Sequence, residues 1–482
     1  MNRIKLVAGP FAALLILLFT DLDPGNPMVT RMAAITVWMA IWWLTEVVHL
    51  AVTALVPFIF IPLLGIADPK IVAAQYMDQI IFLFIGGFLL SFAIERWGLH
   101  QRIALKILNL VGSGNSRILM GVMLTSYIIS MWISNTATVM MLLSAVLAII
   151  YMTEQVSGDD KPSKGLSKAL LIGLAYAATI GGMATLVGTP PNMVFFRSYQ
   201  EAYPDNNDMN FASWFAIGFP VSLVLLIICF FVLKKMFLSK ADQVHVAKDY
   251  FANAYRALGP FSYEQKVVSV IFILTALLWF SREGFDFGMV TLPGWKNLFN
   301  NPSFVLDSTV AVFMALILFV WPSKSEKGKF LLSWSDAAKL PFDIVLLFGS
   351  GFALAKGFEL SGLSDWLASN LKVLKGAEPV MLILCIVVVV CVISEFASNV
   401  ASIQLVIPIL IAFQKELDLH PLILMVPATL AASLGFMLPV ATAPNTIVFG
   451  SRKLDVKDMA SAGFLIDLAG ILVITLVMLF FL

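Results

Sequence analysis

The chain has 482 residues, 60% of them hydrophobic and 13% charged, with a mean hydropathy of +0.92 and a net charge of +1. No soluble core needs that much apolar residue, and a near-neutral chain has no bulk electrostatic case for nucleic acid as a partner. The cysteines, Cys229, Cys385 and Cys391, sit in apolar stretches without the paired spacing of a zinc or redox centre, and His49, His100, His245 and His420 show no metal-ligand spacing.

Arg3 and Lys5 precede an apolar run from Leu6 to Phe19, and Asp21-Leu22-Asp23-Pro24 follows where a signal peptide would need small residues. The run is read as a retained first span. A crossing takes about 20 apolar residues. Such runs predict spans at 6–20, 31–48, 50–66, 80–95, 169–196, 213–233, 264–281, 304–322, 342–360, 421–450 and 459–481. Two stretches remain, 117–151 and 379–415, each long enough for two helical arms and each broken in the middle by Ser-Asn. They are read as re-entrant hairpins.

Basic residues test that reading. With the N-terminus in the cytoplasm, 22 of the 31 Lys and Arg fall on inner segments, 8 on outer segments, and Lys356 within a span. Counting either hairpin as a single crossing inverts everything after it and destroys the asymmetry. The first hairpin then opens inward, the second outward, and the C-terminus lies outside. The expected fold is all-α and polytopic, with about eleven spans and two hairpins in an inverted repeat. Residues 1–79 form N-terminal scaffold helices and 80–212 a first repeat core. Residues 213–341 form scaffold helices with an inner-surface insert, 342–450 a second repeat core, and 451–482 a terminal helix. The stretches 96–106, about 234–263 and Trp334-Ser335-Asp336 read as interfacial helices with structural roles.

The halves echo each other. Ser134-Asn135-Thr136 and Ser398-Asn399-Val400 are 264 residues apart (398 minus 134), and the same offset aligns Gly87-Phe88 with Gly351-Phe352, Glu95 with Glu359 and Gly98-Leu99 with Gly362-Leu363. Gly188-Thr189-Pro190-Pro191-Asn192 follows the first motif and Ala441-Thr442-Ala443-Pro444-Asn445 the second. Alone, each motif reads as a packing feature or a kink. Duplicated, they read as the paired broken helices of a secondary transporter. At a tip, the second arm begins and its free N–H groups favour an anion. The first arm ends there, and its free carbonyls suit a hard cation such as Na⁺. Gly181-Gly182, Gly188 and the prolines unwind span 169–196; Gly435, Pro439 and Pro444 do the same to span 421–450. Thr189 and Thr442 offer hydroxyls to a substrate.

Glu46 lies either deep in an apolar run, where an acid marks function, or at a span end beside Trp42-Trp43. Lys356 and Glu359 are spaced to pair on one helix face, Asp343 is a polar contact, and Glu395 supports the second tip. There is no Gly-x-x-x-x-Gly-Lys-Ser/Thr loop for ATP, and no nucleophile, base and acid set at membrane depth, so no enzyme is expected.

Taken together, these motifs resemble the divalent anion:sodium symporter family, whose members move dicarboxylates, citrate or sulfate. The resemblance covers essentially the whole chain. It implies a multi-pass plasma-membrane protein (the inner membrane in a Gram-negative cell), in contact with lipid, a homodimer, with a scaffold and a core moving as an elevator. Na⁺ is the implied coupling ion, with no organic cofactor. One Na⁺ is implied at Ser130, Ser134, Asn135 and Gly188, and a second at Ser394, Ala397, Asn399 and Ala441. The implied substrate set is Ser134, Asn135, Thr136, Thr189, Pro190, Ser398, Asn399, Val400, Thr442 and Ala443. This chain departs from the pattern at Val400, where Thr is usual, and at Ala443, opposite Pro190. A C4-dicarboxylate such as succinate, malate or fumarate is the expected substrate. Sulfate symport, Na⁺-independent exchange, and a channel or arsenite-type carrier on a related scaffold are the alternatives. The absence of Lys or Arg within the tips and unwound segments favours Na⁺ over exchange.

Overall fold

Apolar helices carry almost the whole chain. The computed structural model describes residues 3–112, 114–157, 161–204, 206, 209–238, 250–286, 291–370, 378–417 and 419–480. Among them are 9 helices long and apolar enough to cross a membrane, from Pro27–Thr45 to Val456–Met478, and shorter apolar helices fill the gaps. A two-stranded hairpin, Gly284–Asp286 with Thr291–Pro293, is the one named sheet among the described residues.

Local chemistry sets the helix starts. Asn26, Asp68 and Asp78 cap the helices that follow, accepting from Met28, Lys70 and Ile80 N–H groups. Ser262 and Gln265 form a capping box at Tyr263–Ser281. The first helix, Arg3–Phe19, packs on Pro27–Thr45 through Gly9, which lies against Trp38 and Trp42. Trp42 Nε1 donates to the Leu6 carbonyl at 3.0 Å, so this tryptophan is a packing residue as well as a span-end residue.

Both hairpins form as expected. The first has arms Asn115–Ser130 and Asn135–Ser157; the second has Pro379–Phe396 and Asn399–Leu417. Both unwound spans form too. Lys161–Gly182 breaks and resumes as Pro190–Ala202, and Leu422–Ala431 breaks and resumes as Ala443–Phe449.

Some expectations change. Span 50–66 is two helices, Leu50–Thr53 and Val56–Leu63, parted at Ala54-Leu55 just before Pro57. Glu46 stands at a helix end and not within the run: Pro27–Thr45 ends beside it, and Glu46 takes a left-handed φ of 45° and is exposed. Stretch 96–106 contributes to the amphipathic helix Leu99–Val111, where Arg102 donates to the carbonyls of Leu258, Gly259 and Pro260. Trp334–Ala337 is a single turn, held by Arg96 Nη1 to Asp336 Oδ2 at 2.6 Å. Within the 234–263 insert, residues 239–249 with Lys240, Asp242, His245, Lys248 and Asp249 lie outside the described residues, and Tyr250–Ala257 is helical.

Candidate functional site

At the first tip, Ser134 caps the returning arm by accepting the Ala137 N–H at 3.3 Å. Ser130, at the end of the entering arm, donates to Asn135 Oδ1 at 2.7 Å. The second tip repeats both contacts. Ser398 accepts from Ala401 N–H at 3.2 Å, and Ser394 Oγ lies 2.9 Å from Asn399 Oδ1 and 2.6 Å from the Ala432 carbonyl. A serine hydroxyl has one proton. It therefore donates to one of those two oxygens at a time, and the other keeps spare acceptor capacity.

Each tip closes on a glycine of an unwound segment. Gly182 touches Asn135 Oδ1 so closely that a β-carbon there would overlap it, and Gly188 packs on the Gly182 carbonyl. A β-carbon on Gly435 would lie 3.2 Å from the Ser394 carbonyl, 3.4 Å from Ala441 and 3.5 Å from Asn399 Oδ1. Ser130, Asn135 and Gly188 thus gather about Gly182, and Ser394, Asn399 and Ala441 about Gly435. Ser130, Ser394, Gly188 and Ala397 are buried behind the tips. These clusters offer hydroxyl, carboxamide and peptide oxygens and no nitrogen or sulfur donor, a set that fits a hard alkali cation.

In front of the tips is a cavity of about 500 Å³, within the range of small-molecule sites. Its wall includes all ten residues expected to meet substrate: Ser134, Asn135, Thr136, Thr189, Pro190, Ser398, Asn399, Val400, Thr442 and Ala443. The returning arms start here, so their unpaired N–H groups and helix dipoles face the cavity. Thr442 caps Ala443–Phe449 by accepting the Asn445 N–H at 3.3 Å, whereas Thr189 makes no such bond. Glu395 sits behind the second tip and accepts the Met437 and Leu438 N–H groups at 2.8 and 3.1 Å, holding the middle of the unwound segment 432–442.

The opposite wall was not foreseen. Phe88, Phe92, His49, Lys339 and Asp343 also line the cavity, with His49 Nε2 4.0 Å from Asp343 Oδ2. Asp343 was expected only as a polar contact, and His49 only as one of four histidines without metal-ligand spacing. They come from elements distant in sequence from the tips, and no motif flags them.

One end of Phe342–Ser361 borders the cavity at Asp343; Lys356 is about 20 Å further along that helix at 1.5 Å per residue. There a polar network ties Pro190–Ala202 to its neighbours. Arg197 pairs with Asp78 at 2.6 Å and Glu201 at 2.8 Å, and donates to Gln75 Oε1 at 3.3 Å. Lys356 approaches Glu201 at 3.8 Å and pairs with Glu359 at 2.8 Å, as the spacing predicted.

Comparison with known proteins bears on the family and the fold. The family model described as the sodium:sulfate symporter transmembrane region matches residues 2–481. A protein named sodium-dependent dicarboxylate transporter SdcS, from Staphylococcus saprophyticus, is 40% identical over 482 residues, covering 99% of this chain and 91% of its own. Its namesake from Staphylococcus aureus is 38% identical over 479 residues, covering 98% and 90%. Among solved structures, the Alcanivorax borkumensis YdaH transporter superposes with a TM-score of 0.55 at 16% identity, covering 84% of each chain. Neisseria gonorrhoeae MtrF superposes with 0.53 at 15%, covering 84% and 82%. These two likenesses bear on the fold alone.

Proposed function

We propose that this chain, which belongs to the sodium:sulfate symporter family, is a Na⁺-coupled symporter of a divalent anion, a C4-dicarboxylate such as succinate, malate or fumarate. The observation that carries the reading is the convergence of two Ser-Asn tips and two broken helices on one cavity. Each tip places N–H donors in front and oxygen ligands behind. A dicarboxylate has two negative ends to meet two tips, and a cation behind each tip lowers the cost of holding that charge. Ser130, Ser134, Asn135 and Gly188 hold one Na⁺, and Ser394, Ala397, Asn399 and Ala441 the second. Carboxylate and cation then stabilise each other, which couples their binding. The SdcS relatives, by name sodium-dependent dicarboxylate transporters, support the ion and the substrate class.

The cavity borders one end of Phe342–Ser361, and the Arg197 network ties the other, as expected of a protein whose site is reached from one side at a time. In this reading the two repeat cores, 80–212 and 342–450, contribute the site and move as an elevator against a scaffold that includes 1–79 and 213–341, ahead of the terminal helix 451–482. The protein works as a homodimer in the plasma membrane, N-terminus inside and C-terminus outside, and catalyses no chemical step. Uptake of labelled succinate into proteoliposomes under an inward Na⁺ gradient, with citrate, sulfate and phosphate as competitors, tests the reading. Succinate uptake that needs Na⁺ and resists the other anions supports it. Uptake indifferent to Na⁺ but dependent on an internal anion makes the protein an exchanger, and dominant competition by sulfate moves the substrate class.

A further inference from the structure

Behind each tip lies an asparagine with half its hydrogen-bonding capacity unused. Asn192 Nδ2 donates to the Gly182 carbonyl at 3.1 Å and the Thr185 carbonyl at 2.7 Å. Asn445 Nδ2 donates to the Gly435 carbonyl at 3.1 Å and the Leu438 carbonyl at 3.1 Å. One offset of 253 residues relates all three positions (445 minus 192, 435 minus 182, 438 minus 185). The same clamp is therefore built twice. Both side chains are fully buried, and both carboxamide oxygens lack a hydrogen-bond donor among the described residues. Two carbonyl acceptors around each nitrogen fix which end of the amide is which.

An orphaned buried amide oxygen is costly in a protein interior, and a duplicated orphan is not an accident of packing. One of the two carbonyls that each side chain holds belongs to the glycine at the centre of an oxygen cluster. Gly182 meets Asn135 and Gly188; Gly435 meets Ser394, Asn399 and Ala441. In a broken helix those carbonyls have lost their helical N–H partners. Thr185 and Leu438 accept instead from the Gly188 and Ala441 N–H groups at 3.4 and 3.2 Å, and the asparagine NH₂ bridges each of them to the glycine carbonyl and fixes the width of the loop.

Building on the Na⁺-symport reading, we propose that Asn192 and Asn445 are the positioning residues of the two cation cages. Each clamps its unwound segment so that the oxygens of the tip and of Gly188 or Ala441 stay at ion-binding distance. The leftover carboxamide oxygen accepts a water of the bound cation's shell. This explains why Pro-Asn closes both motifs while the residues between them differ: the asparagine serves the ion, which the two halves treat alike, and not the substrate end, which they treat differently at Val400 and Ala443.

The test is Na⁺ binding without substrate, read as the rise in unfolding midpoint of the full chain in detergent when NaCl replaces choline chloride at constant ionic strength. Asn192→Ala and Asn445→Ala remove clamp and oxygen; Asn192→Asp and Asn445→Asp keep size and an oxygen but lose both donors. Each variant is expected to need about tenfold or more Na⁺ for the half-maximal rise, a loss of one clamp and its oriented carbonyls. A folded variant with the wild-type Na⁺ requirement overturns the assignment. A wild-type protein with no Na⁺-dependent rise overturns the Na⁺ reading instead. If the variants do not fold, hydrogen exchange on the wild type decides. Na⁺ is expected to slow exchange in 183–189 and 436–442, and unchanged exchange in both loops overturns the proposal.

Discussion

The carboxamide oxygen of Asn135 occupies the space that a β-carbon on Gly182 would take. Glycine is therefore required at 182 by the tip of a hairpin, not by the turn that contains it. Gly182→Ala is expected to force the tip outward at about 1–3 kcal/mol of overpacking and to weaken Na⁺-dependent transport about tenfold or more. Gly435, its counterpart, has its nearest neighbour at 3.2 Å. Gly435→Ala asks only for a few tenths of an ångström and is expected to keep transport within about threefold of wild type. Initial uptake rates across a Na⁺ series distinguish the two; equal damage from both would show that the glycines do not act through the tips.

Val400 is the cavity-lining residue without a hydroxyl at the place where the first tip has Thr136. Val400→Thr adds a hydroxyl without changing shape. One added hydrogen bond is worth about 1 kcal/mol, so preference between succinate and an anion with an extra oxygen, malate or sulfate, is expected to move about fivefold toward the latter. Competition against labelled succinate measures it. An unchanged ratio would place Val400 outside substrate contact.

Arg197 is the hub of the ties on the far side of the site. Arg197→Gln leaves Asp78 and Glu201, both largely buried, without their guanidinium. Loss of such a partner destabilises the packing of Pro190–Ala202 on its neighbours, by less than the about 3–5 kcal/mol of a fully buried pair, because Lys356 still reaches Glu201 at 3.8 Å. Ser198 lines a separate cavity there, of about 350 Å³, and is buried. A cysteine introduced at Ser198, with the exposed Cys385 replaced by serine, is expected to react faster with a membrane-impermeant thiol reagent in the Arg197→Gln background. Equal rates in both backgrounds would mean that the network does not hold this side shut.

Asp336 anchors the Trp334–Ala337 turn to Arg96. Burial opposes its ionisation, but the Ser333 hydrogen bonds and the Arg96 charge outweigh burial and hold the carboxyl below its ordinary 3.8. A depressed carboxyl contributes stability that is present above 3.8 and lost as pH falls through its lower folded value. Wild type is therefore expected to lose its stability advantage over Asp336→Asn only in that acid window. Unfolding midpoints of the two proteins from pH 7 downward check this; a difference that vanishes near neutrality would contradict it.

Much of this was legible in the chain because membranes simplify the problem. Length and apolarity give spans, and a double-length apolar run broken by Ser-Asn gives two helical arms. Duplicated Ser-Asn and Pro-Asn located the tips and broken helices, since few sequences break a helix twice in register at membrane depth. What was not legible depended on contact between distant segments. His49, Lys339 and Asp343 reach the cavity only because Phe342–Ser361 and the 46–50 corner pack opposite the tips. The apolar neighbours of Glu46 left open whether it lies within its helix or at the end; the left-handed residue that ends the helix leaves no simple sequence mark when it is not glycine. The break at Ala54-Leu55 was hidden in a continuous apolar run. The roles of Gly182 and Gly435 became apparent only when their neighbours from the hairpins were in place.

Equilibrium binding of labelled succinate to the purified protein, with and without Na⁺, in wild type and in Asn135→Ala and Asn399→Ala, tests the central claim most directly. The paired-tip account predicts saturable binding only when Na⁺ is present, and its loss in each single variant while both remain folded. Succinate binding that is indifferent to Na⁺, or that survives in both variants, would contradict it.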